Sequence, residues 1–234
     1  MTGNDNRLLL PALYRPREMR EVLISFVVVV LSIAVTAHIL PGPVREYAYS
    51  FILAGMVYMP VWRTIKYEKP DPLRAYAIHL EAWPKEILYA LKWAAIIFPP
   101  YIIGYHIWHS IGAGLEFSFA WPEKFLGMTF IEQTLFIALP EEFFYRGWML
   151  SVFEKRRPDS TRLMGAPFGK AVLYTSLLFA LAHLAAVPSP FRLAVFFPSL
   201  LFCWMRLRRG SLISPILLHG LSNTLVALLA ACYR

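Results

Sequence analysis

Seven long apolar runs separated by short polar segments dominate the hydrophobic pattern of the chain. A helix of about 20 apolar residues crosses the hydrocarbon core of a bilayer, and most of these runs approach that length. The pattern therefore predicts an all-α fold, a polytopic integral membrane bundle of about seven transmembrane helices in a single domain, 1–234. The predicted spans are 22–40, 47–62, 87–105, 125–153, 171–187, 191–205 and 212–232.

Two of the runs leave the number of spans open. The run 47–62 is short, and the run 87–105 contains Pro99-Pro100. We expect this proline pair to break or kink its helix, because proline lacks a backbone N–H. Between the two runs, the proline-rich segment 67–85 is compatible with a short helix on the membrane surface or with a solvated loop.

The Lys and Arg residues alternate in number between the two sides of the predicted bundle. Four precede the first span, and the successive loops and the C-terminus carry one, five, one, five, one, three and one, when Arg192 at the start of the sixth run is counted with the short loop before it. Basic residues favour the cytoplasmic side, so the pattern predicts a cytoplasmic N-terminal segment, 1–21, and an external C-terminus. The first run lacks a small-x-small cleavage site, and we expect it to remain as an uncleaved span. The short external loops favour a bacterial inner membrane.

The composition supports a membrane protein and argues against a nucleic-acid partner. Hydrophobic residues make up 58% of the chain and charged residues only 16%, far from the average of a soluble domain. The net charge of +8 comes from short basic clusters between apolar runs rather than from one continuous basic stretch. Cys203 and Cys232 lie in apolar runs, where they form neither a disulfide framework nor a cysteine metal site.

Three ionisable residues lie within six positions in the middle of the fourth apolar run, at Glu141, Glu142 and Arg146. Each costs about 2.5–3.5 kcal/mol at the centre of a spanning helix, so their presence indicates a functional site. Glu142 precedes Arg146 by one helical turn, which favours a salt bridge between them. Glu141 points to a different side of the helix and has no local counter-ion. A polar clamp between helices is the alternative interpretation of this stretch.

Further polar residues lie in two later runs. Phe179-Ala-Leu-Ala-His183 places a histidine inside the fifth run, and His219-Gly-Leu-Ser-Asn223 places a histidine and an asparagine on one face of the last. A rise of 1.5 Å per residue puts these groups and the two glutamates in one layer, about 10–18 Å from the cytoplasmic ends of their helices. We therefore expect them to form one site, although a lone intramembrane histidine is often only a packing residue.

In their order along the chain, the three motifs Glu141-Glu142-x-x-x-Arg146, Phe179-x-x-x-His183 and His219-x-x-x-Asn223 resemble the CPBP family of intramembrane proteases. This family, also called the ABI family, includes CAAX-processing endopeptidases and bacteriocin-processing proteins. The resemblance covers residues 125–232, the expected catalytic core.

The resemblance implies a glutamic peptidase with no metal and no other cofactor. Glu141 and His183 would activate a water, and His219 and Asn223 would line the oxyanion hole. The remaining motif residues would support this arrangement; they are Glu142, Arg146 and Phe179. The expected partners are the lipid bilayer and a membrane-anchored or lipid-associated peptide or protein substrate. The sequence carries no signal for or against an oligomer.

Two other functions stay open on the residues alone. Two histidines and two glutamates are the ligand types of a three-ligand catalytic zinc site, which would make the protein a zinc-dependent metalloprotease. The chain contains no H-E-x-x-H motif, which is the usual signature of that class. Ionisable groups inside a membrane also occur in transporters, so a transporter or a membrane scaffold is the second alternative.

Overall fold

The structure is a computed structural model that describes residues 16–67, 71–121, 126–156, 158 and 161–233. Most of the predicted N-terminal segment 1–21 lies outside the described residues. The chain forms two compact units, each made of two stretches of sequence. The first unit contains Met1–Ile52 and Tyr145–Trp204, and the second contains Leu53–Phe144 and Met205–Arg234.

Helices account for nearly all regular structure in the described residues, which confirms the all-α prediction. The only strands there are β1 (Arg162–Leu163) and β2 (Ala166–Pro167), which pair antiparallel. In chain order, the α-helices are α1 (Pro16–His38), α2 (Gly42–Tyr67), α3 (Pro72–Ala75), α4 (Trp83–His106), α5 (Leu126–Glu132), α6 (Leu139–Glu142), α7 (Leu150–Arg156), α8 (Lys170–Ala186), α9 (Phe196–Arg209) and α10 (Ile213–Ala231).

Each of the seven apolar runs is largely helical, but fewer than seven helices are both long enough and apolar enough to cross a membrane. Among the described residues, four do so, and α8 is a shorter apolar helix. The total of seven spans therefore stays a prediction. The four long apolar helices are Arg17–His38, Trp83–Gly112, Pro190–Arg209 and Ile213–Ala231.

In the first unit, α1 packs against α8 and α7. Near the ends of α1 and α8, His38 Nε2 donates a hydrogen bond to the Ala185 carbonyl at 2.9 Å. Trp204 Nε1, near the end of α9, donates to the Leu163 carbonyl at 2.8 Å. Each contact joins segments that the charge pattern places on the same side of the membrane.

In the second unit, α10 packs along α4 and along the helical segment 126–142. Arg209 forms an ion pair with Glu86 at 2.7 Å, and both residues lie at predicted cytoplasmic ends. His106 Nδ1 lies 2.9 Å from the Tyr233 hydroxyl, and both lie at predicted external ends. These contacts agree with the predicted alternation of the helices, although they do not say which face is cytoplasmic.

The structure corrects one prediction about the prolines. Pro99 and Pro100 do not break their helix, because α4 continues through both of them and becomes π-helical only at Ile107–Gly112. In the segment 67–85, where a surface helix or a loop was open, the described residues contain the single turn α3 and the 3₁₀ turn Leu80–Ala82.

Candidate active site

The two glutamates lie on a short α-helical turn, α6, with wider π-helical turns before and after it. These π-helical stretches are Gln133–Ala138 and Phe143–Met149. Pro140 accounts for part of this irregularity, because it has no N–H to donate to the preceding turn. Isolated π-helical turns inside α-helices are frequent at functional sites. The irregular backbone around Pro140 thus coincides with the predicted catalytic residues.

His219 of α10 lies between the two glutamates within the second unit. Its Nδ1 is 2.9 Å from Glu142 Oε1, which is a hydrogen bond between two buried side chains. Its Nε2 is 3.8 Å from Glu141 Oε2, which is beyond hydrogen-bond distance. Glu142 is fully buried, whereas 16% of the Glu141 side chain is exposed. The two neighbouring carboxylates therefore differ in both partner and accessibility.

Glu141 retains an acceptor that the described part of the chain does not use. Its Oε2 atom is buried and makes no hydrogen bond to another described residue. A buried carboxylate oxygen without a donor is unfavourable, so this atom is suited to accept a proton from a bound molecule. Asn223 lies one turn beyond His219, is half-buried, and likewise makes no side-chain hydrogen bond within the described residues. Both groups are thus available to a substrate.

The hydrogen bond between His219 and Glu142 limits what His219 can do. When neutral His219 donates its Nδ1 proton to a Glu142 carboxylate, Nε2 carries only a lone pair. Nε2 becomes a donor when the pair holds one more proton, either as an imidazolium next to a carboxylate or as a protonated Glu142 that donates to Nδ1. His219 can therefore stabilise an oxyanion only in the state that contains this additional proton.

Arg146 belongs to the first unit and is fully buried there. Its Nη2 donates a hydrogen bond to Ser199 Oγ at 2.7 Å. Its guanidinium carbon lies 4.3 Å from the centre of the Phe179 ring, a distance at which a cation–π interaction is favourable. Arg146 thus holds Phe179 in place. A salt bridge of Arg146 with Glu142 stays a prediction from their spacing.

His183 lies one turn after Phe179 on α8 and is half-buried. Its Nδ1 is 3.0 Å from the Phe179 carbonyl oxygen, and its ring centre is 4.4 Å from that of the Phe179 side chain. Because a carbonyl oxygen can only accept, Nδ1 must carry the proton of this hydrogen bond. The Nε2 atom of neutral His183 is then a proton acceptor, as a general base requires.

Two of these contacts were not predicted from the sequence. The bond between His219 and Glu142 joins residues from distant parts of the chain, and no local spacing indicates it. Ser199 gave a weak signal, because it is the only hydroxyl residue in the apolar run 191–205. Among the described residues, no group of three or more His, Cys, Asp or Glu side chains is arranged to hold a metal ion.

Comparison with known families gives a match over the part of the chain that carries the three motifs. Residues 122–225 match the family model described as type II CAAX prenyl endopeptidase Rce1-like. No curated protein and no solved structure gives a significant match to the chain. The matched region contains all seven residues of the three motifs. The chain is thus similar to the Rce1-like family over residues 122–225, and this match supports a CAAX-type protease in an integral membrane protein, as the motifs predict.

Proposed function

We propose that the protein is an intramembrane endopeptidase that hydrolyses a peptide bond in a membrane-anchored or lipid-associated peptide or protein. The observation that carries this proposal is the position of His219 between the fully buried Glu142 and the partly exposed Glu141. Glu142 holds Nδ1 at 2.9 Å, and Glu141 lies on the side of Nε2 with an unused acceptor oxygen. A transporter or scaffold would not need this combination of an oriented imidazole and a carboxylate available for proton transfer.

In the proposed reaction, Glu141 takes a proton from water while the water oxygen attacks the peptide carbonyl carbon. His183 accepts a hydrogen bond from the same water through Nε2 and thereby orients it. The carbonyl oxygen becomes an oxyanion, which His219 Nε2–H and the Asn223 amide stabilise as donors. The C–N bond then breaks, and protonated Glu141 returns its proton to the departing amine. No covalent enzyme intermediate is required.

Two features support these roles. The carbonyl of Phe179 fixes His183 in the tautomer that leaves Nε2 basic. The carboxylate of Glu142 orients His219, much as a carboxylate orients the histidine of other hydrolytic sites. Glu142, Arg146 and Phe179 are therefore proposed to position the catalytic groups rather than to touch the substrate.

Purified full-length protein in lipid vesicles provides the test. The probe is a farnesylated CAAX peptide that carries a fluorophore and a quencher on opposite sides of the bond to be cut, and a second probe carries an acyl chain in place of the farnesyl group. We expect cleavage by the wild type and none by Glu141→Gln. Glu132→Gln, the same change on the same helical segment, serves as the matched control and should retain activity.

Cleavage by Glu141→Gln at the wild-type rate would reject the proposed mechanism. Cleavage of only one probe would define the lipid that the substrate must carry. The natural substrate can be sought in the membrane proteome of a deletion strain, as a precursor that remains uncut.

We further propose that catalysis is independent of metal. The proposed roles of Glu141, His183 and His219 support this, because these groups activate the water and stabilise the oxyanion without a Lewis acid. Activity should survive prolonged dialysis against a strong chelator. If chelation removes activity and zinc restores it, the metalloprotease alternative is correct.

The proposed location is the bacterial cell membrane with the N-terminus in the cytoplasm. The basic loops 63–86 and 154–170 should then face the cytoplasm, because each carries five Lys and Arg residues. Single cysteines introduced into these loops should react with an impermeant reagent in inside-out vesicles. Protection of both loops in that experiment would reverse the topology.

A further inference from the structure

Gly220 lies directly after His219 and is buried against the helical segment that carries the two glutamates. A Cβ atom added at Gly220 would lie 2.9 Å from Thr134 Cβ and 3.0 Å from Thr134 Cα, and closer still to Thr134 Oγ1. Carbon atoms in ordinary contact are about 3.5–4.0 Å apart. One of these neighbours is a backbone atom, so a change of rotamer at Thr134 cannot make room. Only glycine permits this approach of the two helices.

Thr134 completes the contact from the other helix. It is 6% exposed, and its Oγ1 atom makes no hydrogen bond to another described residue. The hydroxyl oxygen instead faces the Gly220 Cα–H that an added Cβ would replace. Cα–H···O contacts of this kind recur where helices approach closely through glycine. The Thr134 side chain therefore acts as a spacer between two backbones.

The same buried face of the helical segment leads from this contact to the catalytic groups. Thr134, Ala138 and Glu142 are four residues apart, and all three are buried. Thr134 contacts Gly220, and Glu142 hydrogen-bonds to His219, the neighbour of Gly220. The separation of the helices at Thr134 is thus coupled to the length of the bond between Glu142 and His219.

We propose that Thr134 and Gly220 are positioning residues that set the distance between the helices and so hold the Nε2 atom of His219 where the oxyanion forms. The proposal rests on the proposed function, in which His219 is an oxyanion donor. It adds two residues outside the three motifs and gives each a steric role.

The geometry sets the size of the expected effect. An added Cβ at 2.9–3.0 Å must move away by about 1 Å to reach an ordinary carbon contact. A displacement of about 1 Å at a catalytic group can lower the rate by about 10²-fold. We therefore expect Gly220→Ala to lower kcat by about 10²-fold and to leave KM within about 2-fold, since the displaced group acts in the transition state.

The decisive experiment moves the glycine of this contact from position 220 in α10 to position 134 in the facing helical segment. The double variant Gly220→Ala with Thr134→Gly removes the hydroxyl and Cβ that an alanine at 220 would meet and leaves only the contact with the Cα of residue 134 at 3.0 Å. It should therefore recover at least about 10-fold of the kcat that Gly220→Ala loses. Gly104→Ala is the matched control, because a Cβ at this position in α4 meets no atom within 4 Å. It should leave kcat and KM unchanged.

A second measurement does not depend on activity. In protein labelled with ¹⁵N-histidine, the Nδ1 resonance of His219, assigned by its loss in His219→Gln, reports the hydrogen bond to Glu142. Gly220→Ala should shift this resonance, and the double variant should return it towards its wild-type position. If the wild type cuts no probe but the resonance behaves in this way, the proposed function fails and the spacing role stands.

Two results would overturn the inference. The first is that the wild type is active and Gly220→Ala has the same kcat and the same His219 resonance as the wild type. The other is a double variant no better than Gly220→Ala. Should Gly220→Ala fail to fold, Thr134→Ala enlarges the space without a clash, and it must shift the His219 resonance if Thr134 is a spacer; an unchanged resonance rejects the role.

Discussion

The two histidines of the sequence motifs use the same ring atom in different ways. His183 Nδ1 faces the Phe179 carbonyl, whereas His219 Nδ1 faces the Glu142 carboxylate. A carbonyl oxygen only accepts a hydrogen bond, so neutral His183 keeps a lone pair at Nε2. A carboxyl group can also carry a proton, so Glu142 allows His219 to present an Nε2–H. The chemistry of the Nδ1 partner therefore separates a candidate acceptor for the attacking water from a candidate oxyanion donor.

Removing the histidine that orients the attacking water should have the largest effect. His183→Ala should lower kcat by about 10²–10⁴-fold, because His183 and Glu141 together activate this water. The control is His38→Ala, which removes another histidine of the first unit, at the end of α1. This variant should lose little activity. Rates from purified protein of matched thermal stability provide the comparison. Near-normal turnover by His183→Ala would remove His183 from the mechanism.

Removing an oxyanion donor should have a somewhat smaller effect. Asn223→Ala and His219→Ala should each lower kcat by about 10²–10³-fold, because one donor to the developing oxyanion is lost. Substrate binding should change little, which is the signature of an interaction made in the transition state. Steady-state kinetics measure kcat and KM separately and so distinguish the two effects. A rise in KM with unchanged kcat would instead make these residues part of the substrate-binding surface.

Two substitutions at Glu142 test whether its role is to orient His219. In Glu142→Gln, the side-chain amide can donate to His219 Nδ1, so Nε2–H remains available as a donor. Glu142→Leu has no such group. We expect a loss of activity about 10-fold smaller for the glutamine than for the leucine variant, given the value of one neutral hydrogen bond. Equal losses would mean that Glu142 acts through its charge and not through this hydrogen bond.

Changes around Arg146 should act mainly on stability. Arg146→Leu removes a buried cation from its partners and should lower the free energy of unfolding by about 3–5 kcal/mol. Ser199→Ala removes one hydrogen bond to the same guanidinium and should lower it by about 1.5–3 kcal/mol. Thermal unfolding in detergent provides the measurement. An unchanged stability in both variants would contradict the structural role assigned to this cluster.

A double-mutant cycle tests the salt bridge that the sequence spacing predicts between Glu142 and Arg146. The cycle combines Glu142→Gln with Arg146→Leu and reports their coupling free energy. If the coupling is near zero, the two residues do not pair, and Glu142 interacts chiefly with His219.

The sequence by itself determined which segments are helical and which residues within one helix share a face. The apolar runs marked the helices, and four-residue spacing placed His219 beside Asn223 and Phe179 beside His183. These relationships are local, because the rise and rotation of a helix fix them. Of the break or kink expected at Pro99-Pro100, the break was wrong, because α4 continues through both prolines.

Only the tertiary structure decided which side chains meet between helices. Glu142 bonds to His219 and Arg146 to Ser199, and these pairs are separated by 77 and 53 residues. The same holds for the approach of Thr134 to Gly220, which depends on the crossing point of two helices. The sequence identified Glu141 as the carboxylate without a local counter-ion. The register between helices, which depends on the packing of all contacting side chains, placed its oxygen beside the imidazole of His219.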